Sequence, residues 1–297
     1  MQQSLPQEVE TRRSDIVFGA GDGFPLAGTL FEGSGDGPLV LVSSAAAVPR
    51  SIYTRFAQHL VSAHGHRAVL TYDYRGVSAS KLPAGWRTRP TMADWAEKDL
   101  PAAIDRLEQV APGHAMVGIG QSFGGQALGL CGRSARFDRY LMVAVMSGHW
   151  RYTDESLKVF AAMNLVGVPL AMLTGRVPGW IGLGETLPGS VFRQWAGWGR
   201  KPDYFFADPA MDAARRFAEV RTPILSIGVA DDPWATPRAQ EAILKGYVTA
   251  PVERRRVAPP PGQAIGHLGF FRAAFSESLW QPAIGWLNGA GDQAAAA

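Results

Sequence analysis

Between residues 38 and 146 the chain alternates short apolar runs with stretches of helical periodicity, and this rhythm constrains the fold more than any other feature. Residues 39–42, 68–72, 116–119 and 140–145 are apolar almost throughout, as strands buried on both faces must be. After the first run, Ile52, Phe56 and Leu60 recur every four residues behind Ser51, which reads as a capped helix. Thr91 opens a second helical stretch to Val110, with Trp95, Ile104 and Leu107 on one face and Pro101 interrupting its middle. Residues 123–131 read as a third helix. Alternation of this kind implies an α/β fold: a parallel sheet with right-handed crossovers and helices on both faces. Upstream, residues 15–18 and 24–31 flank the turn 19–23 and read as a hairpin.

The rhythm breaks at 148 and resumes near 221. The intervening stretch is rich in Gly, Pro and aromatics, including Trp150, Trp180, Trp195 and Trp198. A strand at 224–229, a helix near 237–246, a strand at 252–257 and a closing helix from about 270 to 287 follow. The economical organisation is one core of residues 14–147 and 221–289, an insertion at 148–220, and loose ends at 1–13 and 290–297.

The 297 residues are 46% hydrophobic and 19% charged, which excludes a disordered chain or a coiled coil. The single cysteine, Cys131, excludes a disulfide framework. The first ten residues lack the basic and apolar regions of a signal peptide, so a cytoplasmic location is expected. No run reaches ~18 apolar residues. The most apolar one, residues 165–173, contains Gly167 and Pro169, so no membrane partner is expected. Net charge is +3, and Arg254-Arg255-Arg256 reads as a solvated strand face, so no nucleic-acid partner is expected either.

Chemistry concentrates at Gly120-Gln121-Ser122-Phe123-Gly124, a G-x-S-x-G between an expected strand and an expected helix. In that context the turn is strained, a side chain at either glycine would collide with its neighbours, and the serine hydroxyl stands at the carboxyl end of the sheet. Gly118-x-Gly120-x-x-x-Gly124 also looks like a loosened dinucleotide fingerprint. It follows a mid-chain strand, however, its spacing is one too long, and the next strand ends in Met146-Ser147 with no acid. No cofactor is expected. No metal is expected either: His64-Gly65-His66 reads as a solvated turn at the opposite end of the sheet.

A serine hydroxyl needs a base, and the base needs an orienting acid. With the chain order nucleophile, acid, base that suits this elbow, only His149 and His267 qualify among six histidines. His149 comes too soon after Ser122 to leave room for the acid. His267 sits in the glycine-flanked loop 264–271, after the last strand. The acid should end the strand 224–229, where Asp231 and Asp232 both stand. Pro233 biases Asp232 towards an extended backbone, which favours it without excluding Asp231. The developing oxyanion needs two donors: the Phe123 N–H, and one from the loop 43–50, where Val48 is the best candidate.

Together the Gly120–Gly124 elbow, Asp73-x-Arg75-Gly76-x-x-x-Ser80, the Asp232-Pro233 step and Gly266-His267 resemble the α/β-hydrolase superfamily, over residues 38 to 272. The resemblance implies an eight-stranded, mostly parallel sheet with an inserted helical cap over Ser122. It places the acid about nine positions after the Pro that opens the strand, which from Pro223 is Asp232. Two departures stand out: Gln121 where many members have His, and Ala46-Ala47 where many have His-Gly. The implied activity is a serine hydrolase, a carboxylesterase or thioesterase, acting on a small-molecule ester or acyl substrate. An acyltransferase with the same triad and a non-catalytic ligand-binding protein are the alternatives. His149, Trp195, Trp198 and Trp234 are the expected pocket residues. The sequence specifies no oligomeric state.

Overall fold

The computed structural model describes residues 11–182 and 184–289. Six strands come first: β1 (Arg12–Gly19), β2 (Pro25–Glu32), β3 (Gly37–Ser43), β4 (His66–Tyr72), β5 (Met116–Gln121) and β6 (Arg139–Val143). A small ribbon follows, β7 (Arg176–Val177) with β8 (Leu187–Pro188), and then β9 (Ile224–Val229) and β10 (Val252–Val257). All but the ribbon form one eight-stranded sheet in the order β1-β2-β4-β3-β5-β6-β9-β10. β2 runs antiparallel to both its neighbours, and every other pairing is parallel. β1 begins at Arg12, opposite Glu32, so the stretch expected to be loose up to residue 13 ends earlier than expected. The expectations for residues 1–10 and 290–297 lie outside the described residues.

Side-chain alternation along the central strands divides the core in two. Leu39 and Leu41 of β3 belong to one buried cluster, Val40 and Val42 to the other. Helices cover both faces. Thr54–His64 packs into the second cluster, Phe123–Leu130 and the helix over residues 92–108 into the first, and Pro237–Leu244 reaches both, Ala239 in the second and Ile243 and Leu244 in the first. β10 is the far edge strand. Its exposed Arg254 pairs with Glu241 and its Arg255 with Glu253, so charge blunts an edge that would otherwise invite pairing. His66 is not in a solvated turn. It is fully buried at the start of β4, with its Nδ1 2.9 Å from the Leu60 carbonyl oxygen, and burial lowers its basicity.

Three helices carry a proline in mid-length, and none of them breaks. In each the turn just before it is widened: Trp95–Asp99 before Pro101, Ala161–Gly167 before Pro169, Ser276–Trp280 before Pro282. Proline lacks the donor N–H, and its ring clashes with the carbonyl four residues back. A π-type turn moves that carbonyl aside and lets it find a different donor. The stretch opened by Thr91 therefore runs on to Glu108, with the Thr91 hydroxyl accepting from Asp94 N and the Asp94 carboxylate accepting from Thr91 N. The closing helix starts at Ser276, later than expected, after two short turns over 269–275.

The same device carries a helix through residues 165–173. They lie inside a helix, Ser156–Thr174, long and apolar enough by length and composition to cross a membrane. Val159, Met163, Gly167 and Ala171 face inward, while Leu157, Leu165, Met172 and Leu173 are exposed, Leu173 at 84%. The insertion's expected end at 220 also needs correcting. Helix Ala213–Ala218 packs on Phe123–Leu130, where Phe217 lies so close to Gly129 that a Cβ there would fall 2.3 Å from its ring, and Arg216 donates to the Leu130 carbonyl at 2.8 Å. It belongs to the core layer. β6 and β9 are parallel neighbours, and such a step needs a crossover across the face of the sheet.

Candidate active site

The carboxyl ends of β3, β5, β6, β9 and β10 lie along one edge of the sheet. Ser43 stands opposite Gly120, Gln121 opposite Val143, and Val257 opposite Val229. The four loops expected to carry the chemistry leave from this edge. Ser122 follows β5 directly, with φ +50° and ψ −111°, a left-handed conformation that L side chains avoid. Its N–H donates to the Val143 carbonyl at 2.9 Å, which locks the bend against β6. The flanking glycines are obligatory. A Cβ on Gly120 would fall 2.3 Å from the Gly124 carbonyl carbon, and one on Gly124 would fall 2.1 Å from the Ser43 oxygen. Phe123 is the first residue of the following helix, so its N–H has no intrahelical acceptor.

Asp232 and His267 meet. His267 Nδ1 lies 2.8 Å from Asp232 Oδ2. The other carboxylate oxygen, Oδ1, accepts from Trp234 N at 2.8 Å and Ala235 N at 3.0 Å. Burial, the largest single influence, pushes this carboxyl up. The His267 hydrogen bond and charge, with the two backbone donors, outweigh it and hold the group below its ordinary value of 3.8. Asp231 turns the other way. Its two oxygens accept from Ile265 N at 2.9 Å and Gly266 N at 3.0 Å, anchoring the loop that presents His267. The neighbouring acids thus divide the work: one orients the ring, the other holds the backbone beneath it.

Ser122 and His267 line one cavity of about 160 Å³, with Met146, Trp195 and Trp234 among its walls. Of the four expected pocket residues, Trp195 and Trp234 are there. Trp198 is not: it is buried against Tyr204 and Phe205, with its Nε1 donating to Asp208 Oδ2 at 2.7 Å. His149 is also elsewhere, its Nδ1 2.9 Å from the Gly199 carbonyl oxygen and its ring edge-on to Tyr152. Val48 needs correcting too. Its side chain lines the cavity, but its N–H donates to the Ala45 carbonyl at 3.2 Å in a turn, which removes it as an oxyanion donor. Ala46 lines the same cavity, and its N–H makes no hydrogen bond among the described residues.

Neither a family model nor a curated protein matches this sequence. Solved structures do match. DcsB, in complex with its substrate analogue, superposes with a TM-score of 0.66 at 15% identity, covering 93% of this chain and 98% of that one. Esterase Pf2001 of Pyrococcus furiosus gives 0.60 at 17%, covering 93% and 92%. The α/β hydrolase GrgF from Penicillium sp. sh18 gives 0.59 at 20%, covering 93% and 98%.

The chain has the α/β-hydrolase fold.

In this α/β-hydrolase frame the residue before the nucleophile has an unforeseen place. Gln121 is fully buried, and its Nε2 donates to the His267 carbonyl at 2.8 Å. Its Oε1 accepts from the Tyr53 hydroxyl at 2.6 Å, and that hydroxyl accepts from Ala45 N at 3.0 Å. Three loops of the site are therefore tied through one amide. The sequence signals Gln121 only as a departure from the usual His, and Tyr53 reads as an ordinary helical position. A second tie lies outside: the Asp73 carboxylate accepts from Arg50 N at 2.7 Å, from the Arg50 guanidinium and from Ala79 N, clamping the far end of the loop 43–50. Arg75 is engaged by Asp99 and Asp22, so the Asp73–Ser80 loop is structural as read.

Proposed function

We propose that the protein is a serine hydrolase that cleaves a carboxylic ester or thioester through an acyl-enzyme on Ser122. The observation that carries this is the His267–Asp232 bond, 2.8 Å long, in the cavity that Ser122 enters from a strained elbow. The occurrence of an esterase among the structural neighbours supports it.

With Nδ1 committed to Asp232, the Nε2 of His267 is the atom that takes the Ser122 proton. Oγ then bonds to the carbonyl carbon, and the carbonyl π pair moves to its oxygen. The N–H groups of Phe123 and Ala46 are the donors proposed for that oxyanion. Collapse expels the alkoxide or thiolate, which takes the proton from His267. Water repeats the sequence, giving its proton to His267 and its oxygen to the acyl carbon, and Ser122 is regenerated.

The test is covalent labelling with a fluorophosphonate. The wild type should label at one serine. Ser122→Ala should not label, and should lose ~10³-fold or more in turnover while its melting temperature holds or rises, since alanine relieves the hydroxyl's place but keeps the backbone. Labelling of the Ser122→Ala protein would overturn the assignment.

A further inference from the structure

The cavity around Ser122 is small, open to solvent on one side, walled by packed rings and backbone, and almost free of charge among its described lining residues. Its volume is about 160 Å³. An apolar protein cavity of about 150 Å³ holds one benzene molecule, that is, about six heavy atoms. The reacting carbonyl carbon, its oxygen and the leaving oxygen or sulfur take three of those places. About three remain.

The walls fix this size. Trp195 is buried, packed edge-on to Phe192 at 6.0 Å between ring centres, and a Cβ on Gly148 would come 3.0 Å from its Nε1, so it has no room to withdraw. Trp234 bridges Trp195 and His267, at 6.5 Å and 6.4 Å between ring centres. Over the mouth, Gly184 presses on the loop 43–50: a Cβ there would fall 2.4 Å from the Ala47 oxygen, and Glu185 N donates to that same oxygen at 2.7 Å. At Gly184 the contact is backbone against backbone. His267 is the only titratable group among the described lining residues. A carboxylate or ammonium on the substrate's inner portion would be desolvated with no counter-charge, which is costly.

We infer that the site takes short, uncharged acyl groups, from acetyl to about butyryl, with the leaving group left outside the cavity, and that Trp195 and Trp234 set this limit. The inference rests on the serine hydrolase reading above, and the test separates the two. Initial rates are measured with p-nitrophenyl acetate, butyrate, octanoate, laurate and hemisuccinate. In parallel, Ser122 is labelled with a small fluorophosphonate. Acetate or butyrate should give the highest kcat/KM, with octanoate and hemisuccinate each at least about tenfold lower, a factor worth about 1.4 kcal/mol. Trp195→Leu should shift the optimum towards octanoate. Trp234→Leu, at a half-buried position where folding is less at risk, should do so too. A labelled enzyme that prefers octanoate or laurate, or whose profile neither variant moves, overturns the inference and leaves the hydrolase reading standing. Absence of both labelling and turnover overturns that reading, and the inference with it.

Discussion

Gln121 shows how much of a catalytic site can hang on one amide. It needs a donor on one side, for the His267 carbonyl, and an acceptor on the other, for the Tyr53 hydroxyl. Gln121→Glu keeps the acceptor but sets an oxygen against the carbonyl, so the loop carrying His267 should shift. We expect kcat to fall about tenfold or more with KM little changed, and Gln121→Leu to behave similarly. Tyr53→Phe strands the Ala45 N–H and the Gln121 oxygen in a fully buried place, at a cost of about 1–3 kcal/mol in urea unfolding. Asp231 and Asp232 make a sharper pair. Asp232→Asn should cost ~10⁴-fold in kcat, because the amide favours the wrong His267 tautomer. Asp231→Asn should cost mainly stability, about 1 kcal/mol, since it disturbs one of two backbone bonds at an exposed position. Near-loss of activity in Asp231→Asn with an active Asp232→Asn would contradict the geometry. That Ser122 and His267 would share a cavity and that His267 would meet Asp232 was legible because each is tied to a fixed place along the chain: a turn motif, an order, a count from Pro223. Gln121 and Tyr53 were not, because nothing in either residue's neighbourhood announces a partner dozens of residues away.

Elements divide along similar lines. β3 to β6 were readable since burial on both faces demands unbroken apolar runs, and four such runs sit in the middle of the chain, whereas β1 and β2 were read from the turn between them and β10 is a charged edge. In the helix Ser156–Thr174, Gly167 and Pro169 carry the signature of a break, and only the widened turn over Ala161–Gly167 shows how the backbone absorbs them. Its outward face is apolar without being core. Leu157, Leu165, Met172 and Leu173 make little packing contribution, and Leu157 is 76% exposed. The double variant Leu165→Gln, Leu173→Gln should therefore leave stability within about 0.5 kcal/mol of the wild type while lowering the fluorescence of a bound hydrophobic dye. A large drop in melting temperature would mean that this face is packed. The tryptophans were partly legible. Their abundance in the insertion pointed to a pocket, but which of them faces the cavity depends on packing: Trp195 does, while Trp198 spends its N–H on Asp208.

Over the whole molecule, folding and catalysis meet at the Asp232 carboxylate. Its folded-state value lies below the ordinary 3.8, so the folded protein favours the ionised form. That contribution is fully present above the ordinary value and is lost as pH falls below it, through the lower folded-state value. Chemical unfolding followed from about pH 6 to pH 3 should show the wild type losing stability at the acid end more steeply than Asp232→Asn. Equal slopes would show that this carboxylate contributes nothing to acid sensitivity.

The placement of His267 after β10, the last strand of the sheet, has a consequence for how the protein comes into being. Translation delivers Ser122 with β3, β4 and β5 behind it, and Asp232 follows 110 residues later and His267 145 residues later. At roughly 5–20 residues per second that interval is on the order of ten seconds. Throughout it the nascent chain holds a serine with no base to activate it. On the mechanism proposed above, the ribosome produces an inert precursor by topology alone, and reactivity arrives only once the loop after β10 has been made.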